Sequence, residues 1–434
     1  MKTIFALSSG LLPSGVAVIR LSGAAVKDVL QRVAGFVPEP RMMVLATFRA
    51  ESGEVLDRGL VVYFPAPKSF TGEDCAEFHL HGGKAVVTRF LDELSTFPDC
   101  RVAEAGEFSR RAFAEGKFDL TEAEGLADLI HAETESQRRL AMMGASGALA
   151  DLYRNWRSTL VQARAMIEAE LDFADEGDVP GSVADRIWDN VSQLHKAVLT
   201  HIESAARADV MRDGVKIVIA GAPNAGKSSV INRLAARDVA IVTEEAGTTR
   251  DALEIRLVLG GLPVLVTDTA GLRQTENHIE KMGIESAAAR IGEADLILLL
   301  DDMHNPQLVE LPPTEAEIWS IGNKLDLGEG DRKRWPVQLS ARSGAGWQDF
   351  IGRLTVFCRK KTVDMGEIVP VRRRHTELLK RCALALQHAL YDEAALELRA
   401  EHLRLASDAL GKITGDIDVE DLLNVIFSEF CIGK

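Results

Sequence analysis

The stretch "KIVIAGAPNAGKSSVINRLAA", Lys216 to Ala236, decides how the middle of this chain is read. An apolar, β-branched run leads in and a segment with apolar residues at helical spacing leads out. Between them "GAPNAGKSS", Gly221 to Ser229, fits the phosphate-loop pattern G-x-x-x-x-G-K-[ST] in its required strand–loop–helix context. The glycines let backbone N–H groups face phosphate oxygens, Lys227 reaches the β and γ oxygens, and Ser228 offers a Mg²⁺ ligand. Asn224, Ala225, Gly226, Lys227, Ser228 and Ser229 are the predicted phosphate contacts.

Further along, strand-like and helix-like runs alternate to about Phe357, which predicts a mostly parallel sheet covered on both faces. A Gly260-Gly261 turn between two apolar runs adds one antiparallel hairpin. Ligands of such sheets bind at the carboxyl ends of the strands, and three further motifs fall there in order. Asp268, Thr269, Ala270 and Gly271 place a carboxylate near Mg²⁺ and an N–H near the γ-phosphate. Asn323, Lys324, Leu325 and Asp326 supply a carboxylate that accepts two hydrogen bonds from guanine and repels the acceptor edge of adenine. Ser340, Ala341 and Arg342 close over the base. The polar loop Thr243, Glu244, Glu245, Ala246, Gly247, Thr248 and Thr249 reads as a mobile switch, with a threonine hydroxyl, Thr249, for Mg²⁺. GTP is therefore expected over ATP. One anomaly stands out: Leu272 follows the third motif, where Ras-type switches carry a water-orienting glutamine.

The remainder divides by composition. At 434 residues the chain predicts two or three domains. Residues 1–118 mix short β-like runs with Gly/Pro turns, an α+β pattern; 119–213 and 358–434 show apolar residues at helical spacing; 214–357 read as a Ras-like P-loop G domain inserted between the two helical parts. The expected fold is multidomain, α/β and α.

A net charge of -15 argues against a chain that grips nucleic acid with its whole surface. Arg110 and Arg111, and the run Arg372 to His375, are candidates for local RNA contact, but read better as solvated helix faces. No apolar run approaches the ~20 residues of a membrane helix, so a cytoplasmic protein is expected. Five cysteines without a Cys-x-x-Cys pair fit reduced thiols rather than a disulfide frame or zinc site. His79 and His81 share one strand face but lack evident further ligands for a metal.

Taken together, "PNAGKSS", "IVTEEAGTTRD", "DTAGLR", "NKLD" and the terminal "FCIGK" resemble the MnmE (TrmE) family of tRNA-modifying GTPases. "FTGEDCAEFHLHGG" and "AGEFSRRAFAEGKFDLTEAE" extend the resemblance to the N-terminal and hinge segments, so it covers essentially the whole chain. The tail is its most specific feature, because the G motifs are shared with many GTPases. The loop "SSGLLPSG" departs from the family's more glycine- and arginine-rich pattern.

The resemblance implies K⁺-dependent GTP hydrolysis as two G domains meet. It places the K⁺ ligands at Asn224, Thr243, the main chain of Glu245, and Thr248, and the water-orienting group at Glu280. A cation there can perform the task of an arginine finger. It also implies a homodimer and an FAD-dependent partner, MnmG (GidA), with which the wobble uridine of tRNA is modified at carbon 5. The one-carbon unit would come from a 5-formyl or methylene tetrahydrofolate held by Arg20, Glu77, Lys117 and Lys434. Cys431 is a candidate for the modification chemistry, against the ordinary fate of a buried free thiol. The alternative reading is a GTP-controlled ribosome-assembly factor; it shares every G motif, but would more often append a basic RNA-binding module.

Overall fold

A computed structural model of the chain describes residues 1–172, 182–236, 254–268, 290–362, 367–391 and 395–417, together with 423, 426, 427, 430 and 433. The chain divides into two compact units, one of Met1–Ile130, Met143–Lys196 and Glu377–Lys434, the other of His131–Met142 and Ala197–Thr376.

The first unit opens with a six-stranded sheet: β1 (Thr3–Leu7), β2 (Ser14–Ser22), β3 (Val44–Arg49), β4 (Val55–Phe64), β5 (Cys75–Gly82) and β6 (Cys100–Val102), in the order β3-β4-β5-β2-β1-β6. Helices α1 (Val26–Val33) and α2 (Lys84–Ser95) join it in one core with Ile19, Leu21, Val29, Leu30 and Leu94. At its centre Phe48, Phe78 and Phe90 meet edge-on or tilted, with centroids 5.1 to 5.7 Å apart. In chain order follow α3 (Glu107–Ala114), α4 (Leu120–His131), α5 (Glu135–Ala145), α6 (Ala148–Asp172) and α7 (Ser182–Asp213), of which most of α5, and α7 from Ala197 onward, belong to the other unit. Ile426, Phe427 and Phe430 from the chain's end pack on Leu120 and Ala123 of α4, and Ser8 Oγ donates to the carbonyl of Gly433 at 2.8 Å. Gly433 thus lies beside the end of β1.

In the second unit β7 (Val215–Gly221), β8 (Glu254–Leu259), β9 (Leu262–Asp268), β10 (Leu296–Asp302), β11 (Glu317–Asn323) and β12 (Val337–Gln338) form a sheet ordered β12-β11-β10-β7-β9-β8. Every pairing is parallel except β8 with β9. Strand β7 is apolar and buried from Ile217 to Ala220, as a parallel strand covered on both faces must be, with the half-buried Lys216 and Gly221 near its ends. Gly260 and Gly261 take φ of 63° and 87°, the left-handed pair that a tight hairpin turn requires. The turn is anchored: Ser136 at the start of α5 donates its N–H to the Gly261 carbonyl at 3.1 Å. Helices α8 (Lys227–Ala235) and α9 (Trp347–Lys360) belong to this unit; α10 (Arg373–Tyr391) and α11 (Leu396–Thr414) complete the description, α11 packing along α6.

Candidate nucleotide and N-terminal sites

The phosphate loop leaves β7 at Gly221 and enters α8 at Lys227. Gly221 has φ of 151°, and a Cβ there would sit 2.2 Å from the Leu300 carbonyl oxygen on β10. Gly226 has φ of 95°, and its Cβ would sit 2.1 Å from Asn323 Nδ2. Both glycines are therefore dictated by close approach as well as by backbone conformation. Asn224 also holds a left-handed φ of 65° and is exposed at the loop's crest. Lys227 is buried, its ammonium donating to the carbonyls of Gly221 and Ala222 at 2.9 and 3.0 Å. Ser228 and Ser229 are exposed, and Ala225 is buried beneath the loop. Asp268 ends β9 as a buried carboxylate in register with Ile219 of β7.

Opposite stands the base side. Asn323, 3% exposed, donates through Nδ2 to the Ala225 carbonyl at 2.8 Å, while its Oδ1 accepts from Lys324 N at 2.8 Å and Ala341 N at 3.2 Å. One side chain thus ties the phosphate loop to both base-side loops. Lys324 takes φ of 69°, and the chain then forms a short 3₁₀ turn, Leu325–Leu327, that carries Asp326. Ser340 Oγ donates to Asp326 Oδ1 at 2.5 Å, and that hydrogen bond, before any other influence, lowers the carboxyl's pKa. The two sides enclose a cavity of about 660 Å³ lined by Asn224, Lys227, Ser228, Lys324, Asp326 and Arg342, among others. Two supporting residues escape sequence reasoning. Arg233 of α8 donates to the Ala341 carbonyl at 2.8 Å and lies over the Trp347 ring at 5.3 Å, and Asp302 on β10 pairs with Lys324 at 2.6 Å.

Several predicted site residues lie outside the described residues: Thr243, Glu244, Glu245, Ala246, Gly247, Thr248, Thr249, Thr269, Ala270, Gly271, Leu272 and Glu280, together with Cys431 and Lys434.

In the N-terminal sheet Arg20 and Glu77 face each other across β2 and β5, with Arg20 Nε donating to Glu77 Oε1 at 3.0 Å. The guanidinium lies over Phe70 at 5.3 Å and Phe108 at 6.0 Å, so an ion pair sits against two aromatic faces. His79 Nε2 stands 3.6 Å from the other Glu77 oxygen and is buried without a hydrogen-bond partner. Lys117 reaches back to the Pro67 carbonyl in the loop that also carries Phe70. His81 does not join His79; it pairs with Asp57 at 2.8 Å. Among the described residues no group of three or more His, Cys, Asp or Glu is arranged to hold a metal.

The basic run at Arg110 and Arg111 departs from the expected solvated face. Arg110 is exposed, but Arg111 is 7% exposed and holds Glu73 at 2.9 Å, Glu107 at 2.9 Å and the Lys2 carbonyl at 2.9 Å. Its reach to Glu73, distant in sequence, explains why the helix pattern alone misplaces it. His375 of the second basic run is likewise buried. The thiols of Cys75, Cys100, Cys358 and Cys382 are free and buried, and burial pushes Cys100 up to about 11 and Cys358 and Cys382 to about 12.

Comparison with known proteins agrees along the whole chain. The family described as "GTP-binding protein TrmE N-terminus" matches residues 3–117, and "MnmE helical domain" matches 120–431. The tRNA modification GTPase MnmE of Bartonella bacilliformis is 61% identical and that of Bartonella tribocorum 62%, each over 100% of both chains. The Brucella melitensis protein of the same name is 58% identical over 100% of this chain and 98% of its own. Among solved structures, the G domain of the T. maritima FeoB iron transporter is 24% identical, over 33% of this chain and 98% of its own, at a TM-score of 0.26. Two family matches that together span nearly every residue, and relatives alike from end to end, leave one assignment: the chain belongs to the MnmE (TrmE) family.

Proposed function

We propose that this chain is a tRNA modification GTPase whose hydrolysis is stimulated by K⁺, and that with an FAD-dependent MnmG-type partner it modifies the wobble uridine of tRNA at carbon 5. The observation that carries the GTPase reading is the Asn323 side chain, which joins the phosphate loop and the base-side loops around one cavity. Asp326 is the guanine-reading carboxylate, held in orientation by Ser340.

The donors fit the metals expected. The Ser228 hydroxyl and the Asp268 carboxylate are hard oxygen ligands suited to Mg²⁺, with Thr249 as the third protein contact. Asn224 presents an exposed amide from a left-handed crest, which suits an oxygen ligand of K⁺ alongside Thr243, Glu245 and Thr248. When bound, the two cations offset the charge that develops on the phosphates. Glu280 orients the attacking water in place of the glutamine that Leu272 displaces. In the N-terminal sheet Arg20, Glu77 and the Phe70 and Phe108 rings offer charge and flat apolar faces for a tetrahydrofolate derivative, with Lys117 and Lys434 as further contacts. A bound folate supplies the one-carbon unit.

A homodimer through the N-terminal unit is supported by its edge: β3 is the outermost strand, and Met42, Met43 and Leu45 there are exposed apolar residues. Cytoplasmic location agrees with the described residues, in which no helix is long and apolar enough to cross a membrane.

The test is GTP turnover at fixed ionic strength in K⁺ and in Na⁺, with and without the FAD-dependent partner. Turnover is expected to rise by about tenfold or more in K⁺, and Glu280→Ala is expected to abolish it while nucleotide still binds. Equal rates in the two salts would remove the cation from the mechanism.

A further inference from the structure

Lys324 lies between Asn323 and Asp326, the two residues proposed for the base site, and poses a problem that the neighbouring strand solves. Its backbone is left-handed, φ 69°, and it lines the cavity two residues from Asp326. An unrestrained ammonium so close in sequence to a carboxylate in a tight turn would pair with it. Asp326 would then lose an acceptor that guanine needs, since Ser340 already occupies Oδ1 at 2.5 Å.

Instead the ammonium is taken up elsewhere. Asp302 ends β10 directly across from Asn323 in the parallel register, and its Oδ2 accepts from Lys324 Nζ at 2.6 Å. Its other oxygen accepts from His304 N at 3.0 Å, and its carbonyl from Asn305 N at 3.1 Å, so the carboxylate is also held by its own turn. Arg334, the next cation along, pairs with Asp301 and leaves Asp302 to Lys324. The group is only 15% exposed. Burial pushes its pKa up, but the bonds from Lys324 and His304 outweigh this and hold it below the usual carboxylate value, so it is anionic at neutral pH.

We propose that Asp302 is a specificity-determining positioning residue of the guanine site: it holds the Lys324 ammonium away from Asp326 and keeps that carboxylate open to the N–H groups of the base. The inference rests on Asp326 being the guanine reader.

Paired affinities for GDP and inosine diphosphate test it, because hypoxanthine lacks the exocyclic amine that guanine offers to a carboxylate. Equilibrium titration of the full chain is expected to show a preference for GDP that shrinks on the order of tenfold, one charge-assisted hydrogen bond, in Asp302→Asn. Asp302→Glu retains most of the preference. The double variant Asp302→Asn with Lys324→Met restores it, because no freed ammonium competes. A ratio unchanged in Asp302→Asn, whether both affinities fall equally or neither falls, overturns the proposal. Asp326→Asn separates the two ideas: it must abolish the preference, and if it does not, the guanine-reader assignment fails and takes this inference with it.

Discussion

Replacing Gly226 with alanine puts the central joint of the nucleotide site under a defined load. The added Cβ would lie 2.1 Å from Asn323 Nδ2, so that nearly buried amide must move. Moving it breaks the 2.8 Å bond to the Ala225 carbonyl, a loss of about 0.5 to 1.5 kcal/mol if water replaces the donor and up to about 3 if none does. Holding φ at 95° costs a non-glycine residue a further ~1 to 2 kcal/mol. Together these give about 3 kcal/mol against the binding-competent arrangement, or roughly a hundredfold in Kd. The assay is an equilibrium titration with a fluorescent guanine nucleotide, accompanied by a thermal melt. A variant within about threefold of the parent in Kd, with an unchanged melt, would refute the idea that Gly226 and Asn323 are mutually fixed.

Arg111→Ala is expected to cost about 3 to 5 kcal/mol of stability, because Glu73 and Glu107 keep their charges after the buried partner is gone. Arg111→Lys should recover only part of this, since an ammonium lacks the guanidinium fork; a thermal melt of each variant, with Ala matching the parent, would contradict the assignment. A second prediction concerns pH. Burial pushes the His201 imidazole down to about 4, and the nearby His375 charge acts the same way. A base depressed in the fold is protonated more readily by the unfolded chain, so its stabilising contribution is complete above about pH 6.5 and is lost as pH falls towards 4. The loss amounts to about 3 kcal/mol, at 1.36 kcal/mol per pKa unit. His201→Gln should flatten that portion of the melting-temperature profile; an unchanged acid slope would exclude His201 as its source.

The fold of the second unit was legible because its signals are local. The β-branched run of β7, the left-handed Gly260-Gly261 turn and the phosphate-loop glycines each act within a few residues. The base-side motif was legible for the same reason. What the sequence concealed are contacts made by pairing across distance. Arg111 reads as half of a surface charge pair until β5's neighbouring loop brings Glu73 to it. Arg233 reaches Ala341 only because α8 and the loop after β12 meet, 108 residues apart. Asp302 has no motif of its own; the parallel register of β10 and β11 gives it Lys324. In each case periodicity identifies the element, but not which neighbour's charge the element will face.

The β8–β9 hairpin carries a mechanical consequence. Its inward residues, Ile255, Leu257 and Leu259 against Leu262, Val264 and Val266, are all buried. A slip of one residue between the strands would turn every one of them outward, so the ribbon cannot shear internally. It is also tethered at its tip, where the Gly261 carbonyl meets the Ser136 amide. In sequence the ribbon stands between Thr243–Thr249 and Thr269–Glu280. The ribbon is thus held both by its register and at its tip: its two strands shift together or not at all, and any such shift loads the Ser136 amide in the first turn of α5.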